Sequence, residues 1–78
     1  MSLQKQWRSL DRSTVSKAPD RYGVYELGDA DGTVLKLDTG VLRDVVKDAL
    51  SYEPNAKKIR WTVAQSRSHA EQLAAEHQ

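Results

Sequence analysis

The chain contains no cysteine. That removes disulfide staples and thiolate metal sites together. Long apolar runs are missing too: the uninterrupted stretches end at two or three residues. A membrane-spanning helix needs about 20 such residues, so no segment qualifies. The stretch from Met1 to Arg8 lacks the apolar core of a signal peptide, and the expected location is cytoplasmic. Nor does charge of one sign dominate. Twelve basic side chains face eleven acidic ones, for a formal net charge of +1. Bulk electrostatics therefore names no partner. Internal repeats and low-complexity tracts are also absent.

What remains is 78 residues, enough for one domain with a thin core. Chains this short bury roughly 60–65% of their unfolded surface. Their cores supply about 3–5 kcal/mol net, so a partner or a second copy is an expected source of added stability. Residues 1–10 are polar apart from Met1, Leu3, Trp7 and Leu10, and read as an N-terminal arm, loose or docked through the Trp7 indole. Residues 11–78 form a single domain. Charge is uneven along it. Residues 21–53 set seven acidic side chains against four basic, whereas residues 54–70 carry Lys57, Lys58, Arg60 and Arg67 with no acid. Such a segment is either a phosphate-facing patch or a solvated face.

The element pattern is legible. Asp11 suits the N-cap of a short helix that Pro19 ends by disfavouring helical backbone at Ala18. Tyr22 to Leu27 reads as a strand, Gly28 to Gly32 as a hairpin loop, and Thr33 to Asp38 as the returning strand. Thr39-Gly40 is expected to break it. Leu42, Val45, Val46, Ala49 and Leu50 then fall on one stripe of an amphipathic helix, which Pro54-Asn55 closes. Lys58 to Val63 alternates strictly between polar and apolar, the signature of a half-buried strand. Ser66 or Ser68 caps a final helix with Ala70, Leu73 and Ala74 on its inner stripe.

The predicted fold class is α+β, in the order (α)-β-β-α-β-α. A three-stranded antiparallel sheet carries its helices on one face. Val24, Leu35, Leu37, Ile59, Trp61 and Val63 would supply the sheet side of the core. The other face would then display Tyr25, Lys36, Lys58 and Arg60 together, an aromatic among cations suited to phosphate or single-stranded nucleic acid.

Other chemistry has simpler explanations. Asp29-Ala30-Asp31-Gly32 opens like a calcium loop but runs directly into a strand without a distal carboxylate, so a hairpin turn accounts for it. His69 and His77 stand eight apart with no neighbouring ligand motif, and no metal site is expected. Helix capping by Ser66 or Ser68 explains these serines more simply than a nucleophile would.

The run Ala18-Pro19-Asp20-Arg21-Tyr22-Gly23-Val24-Tyr25, followed by the acidic glycine loop and by Leu42-Arg43, resembles the start of a GIY-YIG nuclease domain. It is most like the N-terminal nuclease module found in bacterial excision repair, and the likeness extends over about residues 18–76. The resemblance implies a hairpin, helix, strand and helix, and places Tyr25 at the family's catalytic tyrosine. It also implies departures. Lys36-Leu37-Asp38 stands where a second Tyr-Ile-Gly-type motif belongs. Val45 stands at the catalytic arginine, with Arg43 offset on the wet side. Ala74 stands at the metal-binding glutamate, with Glu71 and Glu76 out of register. Phosphodiester cleavage needs an activated nucleophile, a cation on the phosphoryl oxygens and a carboxylate-held metal. Only the tyrosine is retained. The resemblance thus implies a degenerate nuclease that needs no cofactor, and the open sheet face with Tyr25, Lys36, Lys58 and Arg60 suggests that it binds nucleic acid or another anionic partner there. A magnesium ion enters only if endonuclease activity survives, which is a second alternative. The first alternative is a protein-interaction module or homodimer without chemistry. No reading involves a membrane.

Overall fold

The computed structural model describes residues 5–77. Its elements run β1 (Arg8–Ser9), α1 (Arg12–Lys17), β2 (Tyr22–Gly28), β3 (Val34–Val41), α2 (Leu42–Tyr52), β4 (Lys58–Val63) and α3 (Arg67–His77). The strands form one antiparallel sheet in the order β1-β4-β2-β3. The fold is α+β as expected, but among the described residues the sheet has four strands rather than three. The extra strand is the short segment of the arm where Arg8 and Ser9 pair with Ile59 and Lys58.

Local chemistry sets the boundaries. Asp11 caps α1 by accepting the Thr14 amide at 3.2 Å and the Ser13 hydroxyl at 2.6 Å. The Ser13 bond is the main reason that the Asp11 carboxyl lies below its ordinary pKa. In the hairpin loop one Asp29 carboxylate oxygen accepts the amides of Asp31 and Thr33, both at 2.9 Å, and Gly32 adopts φ +84°. Contrary to expectation, Thr39-Gly40 does not end the second strand. β3 continues to Val41, and α2 starts at the next residue. Ser66 caps α3, its hydroxyl accepting the His69 amide at 3.2 Å.

The arrangement of layers differs from the expected one. Helices cover both faces of the sheet. On one face Tyr25, Leu27 and Ile59 pack with Leu42, Val46 and Ala49 of α2 and with Ala18, and Trp61 joins at the margin. On the opposite face Val24 and Leu37 pack under Leu73 and Ala74 of α3. The cause lies in β2, which is buried along both its sides from Gly23 to Gly28. Its Tyr25 and Leu27 pack against α2 while Val24 packs under α3, so neither face is left to solvent. The expected core therefore splits across two faces. Two of its members leave it, with Leu35 47% and Val63 37% exposed. Leu35 falls beside a register irregularity opposite Leu27/Gly28, which turns it out of the regular alternation.

Candidate functional site

Four residues were expected on one open face. Two pairs on opposite faces are what the register gives. Lys36 stands opposite Leu27, and Tyr25 opposite Trp61, so both belong to the α2 side. Lys58 stands opposite Gly28 and Arg60 opposite Glu26, on the α3 side. The single Tyr25–Lys36–Lys58–Arg60 surface does not form, because strand alternation separates odd from even positions of β2.

Tyr25 is nearly enclosed, at 6% exposure. With Lys36, Val45, Asp48, Tyr52 and Glu53 it lines a half-open cleft of about 230 Å³. Burial raises its pKa to about 12, and the charges of Asp38, Glu53 and Asp48 push the same way. A phenol so placed stays protonated and is a poor nucleophile near neutrality. Because the folded pKa exceeds the ordinary value of 10.0, the stability linked to neutral Tyr25 is complete below pH 10 and is lost as the pH rises through about 12. An absorbance titration of tyrosinate should therefore show a component near pH 12 that Tyr25→Phe removes. A Tyr25 component near pH 10 would contradict this environment.

The other positions implied by the resemblance are occupied structurally. Arg43 donates from its guanidinium to the Ala18 carbonyl at 3.2 Å, and its amide bonds the Pro19 carbonyl at 3.2 Å. It thereby ties the start of α2 to the segment entering β2. Glu71 pairs with Arg67 on the surface of α3 at 3.3 Å. Among the described residues no group of three or more His, Cys, Asp or Glu side chains is placed to hold a metal ion.

The most developed site lies elsewhere, where the arm meets β4. A half-open cleft of about 700 Å³ is lined by Lys5, Gln6, Trp7, Arg8, Trp61, Thr62 and Val63, with no acidic side chain among them. Its two indoles each carry a guanidinium. Arg8 lies over Trp61 at 4.8 Å and Arg60 over Trp7 at 4.0 Å from the ring centroids. Arg60 is held from beneath by Glu26, at 2.9 Å, and reaches the Lys5 carbonyl at 3.3 Å. Trp7 in turn covers Gly28, where a Cβ would come within 2.8 Å of the indole. The glycine is what lets the ring approach the strand this closely.

β1 pairs only with Ile59 and Lys58, so no described strand pairs with the outer side of β4 from Arg60 to Val63. The cleft thus combines aromatic faces, cations and an unpaired strand edge. Sequence reasoning noted Trp7 as a docking residue and placed Trp61 in the core. It did not join them, because the arm residues carry no strand pattern that would set them against β4.

Sequence comparison finds no curated protein and no solved structure with significant similarity to this chain. One family model matches it along residues 1–78. The chain belongs to the family described as Domain of unknown function (DUF7508).

Proposed function

We propose that this domain is a non-catalytic, GIY-YIG-like module that binds single-stranded nucleic acid in the cleft between the arm and β4. The observation that carries the reading is the pair of arginine-stacked indoles in a cleft whose lining has no acid. Bases stack on aromatic faces without regard to sequence, and cations beside them take the phosphates. Lys5 and Arg8 are both exposed and supply that charge, with Arg8 able to exchange its indole contact for a phosphate. The likeness to GIY-YIG domains is supported by the order hairpin, helix, strand, helix from Tyr22 onward, with Gly23-Val24-Tyr25 in the inner strand. The degenerate reading is supported by the raised pKa of Tyr25 and the structural use of Arg43.

The test is fluorescence anisotropy of a labelled oligothymidylate at low and moderate salt. Arg8→Glu is expected to weaken binding about ten-fold and to flatten the salt dependence by about one charge. Absence of binding at low salt, or equal affinity for Arg8→Glu, would dispose of the proposal.

A further inference from the structure

The opposite edge of the sheet is also open. β3 is the last strand in the order, and among the described residues nothing pairs with its outer side. Backbone parity shows which groups point there. The Tyr22 carbonyl accepts from Ala64 on the β4 side, while the Arg21 carbonyl accepts from Leu42 on the β3 side. Odd positions of β2 therefore bond to β3, and their partners are Lys36, Asp38 and Gly40. Leu37 and Thr39 turn their amide and carbonyl groups away from β2, toward the open edge. There the Thr39 amide donates to the Asp38 carboxylate at 2.8 Å, a bond that an incoming strand would replace.

Lys36 and Asp38 lie two apart on the same face of this strand. Both are exposed, and neither makes an ion pair among the described residues. That pattern selects a register. A second copy pairing antiparallel with the two-fold axis at Lys36 sets lysine against lysine. An axis at Asp38 sets aspartate against aspartate. An axis at Leu37 sets Lys36 against Asp38 of the other copy, twice by symmetry. The Leu37 groups then exchange hydrogen bonds with each other. In that register the Lys36–Asp38 positions are the non-hydrogen-bonded pairs, which bring side chains closest. The patch is thus complementary to itself, as a closed two-fold interface requires.

We infer that this protein forms a homodimer through β3, antiparallel and centred on Leu37, which joins two sheets into one of eight strands. Val34 and Leu35, exposed by 39% and 47%, would lie along the joint opposite Gly40 and Thr39 of the second copy. The inference does not depend on the nucleic-acid reading, since the arm cleft lies at the far side of each sheet.

Sedimentation equilibrium from micromolar to near-millimolar concentration tests it. The native chain should dimerise. Lys36→Asp and Asp38→Lys should each weaken self-association about ten-fold, because each converts both cross-strand pairs to like charges. Mixing the two variants should restore a dimer, since the all-acidic strand then faces the all-basic one. The double variant Lys36→Asp with Asp38→Lys should dimerise like the native chain. A native chain that stays monomeric throughout, or single variants that self-associate as well as the native chain, would overturn the inference. So would a mixture no more associated than its components. All these positions are exposed, and circular dichroism reports whether each variant is folded.

Discussion

Glu26→Ala should lower the stability of this domain by about 3 kcal/mol, the lower end of the ~3–5 kcal/mol that follows when one partner of a buried ion pair is removed. Glu26 sits in the inner strand with its side chain 3% exposed, and Arg60 opposite it is 13% exposed. The loss leaves the guanidinium enclosed without its counter-charge. Arg60 keeps the Trp7 ring and the Lys5 carbonyl, which is why the lower end applies. A net stability of only about 3–5 kcal/mol is expected of so small a core, so the variant should keep about 0–2 kcal/mol and unfold at the lowest urea concentrations. Urea titration followed by tryptophan fluorescence measures this. Glu26→Leu combined with Arg60→Met should recover most of the loss, because apolar replacement of a whole buried pair is near neutral. A cost under about 1 kcal/mol for Glu26→Ala would show that the pair is effectively solvated.

A second large effect is expected at Gly23. A Cβ there would come within 2.5 Å of the Thr62 carbonyl oxygen and 2.7 Å of Leu42 Cδ1. The Leu42 side chain is fully buried, and the carbonyl belongs to the neighbouring strand, so neither yields without moving β4 or α2. Overpacking of this kind costs about 1–3 kcal/mol. The backbone of Gly23 is not in the left-handed region, so Gly23→Ala regains roughly 0.4–1 kcal/mol through the unfolded chain. A net loss of about 2 kcal/mol is expected for Gly23→Ala, and about 3 kcal/mol for Gly23→Val. Thermal denaturation resolves either. An unchanged midpoint for Gly23→Ala would mean that the sheet and α2 separate at little cost. This also gives a packing reason for the glycine in Gly23-Val24-Tyr25 that has no need of chemistry.

Much of the element pattern was legible because periodicity was clean. The Leu42–Leu50 stripe and the Lys58–Val63 alternation appear where they were expected, as α2 and β4. The layers were not legible, for a specific reason. Glu26 and Arg60 each look like outward polar residues within their own strands, but the register sets them opposite each other as a pair sealed inside. Reading each strand alone converts a buried face into a wet one. α3 added to the error. It closes that face with Ala70, Ala74 and Leu73, too small a stripe to mark the direction of a second core. Arg8 and Ser9 carry no strand signal at all, so the fourth strand and the arm cleft arise only from contact with β4.

Placement of α3 on the face opposite α1 and α2 has a consequence for the order in which this molecule can be completed. Every element of the first core, from Ala18 to Ile59, precedes α3 in the chain. During synthesis the hairpin, α2 and β4 can close that side as soon as they emerge. Val24 and Leu37 must wait, in water, for the last helix. The nascent domain therefore passes through a stage with a finished front and an open back, and the apolar surface it has still to bury is the strip that α3 later covers.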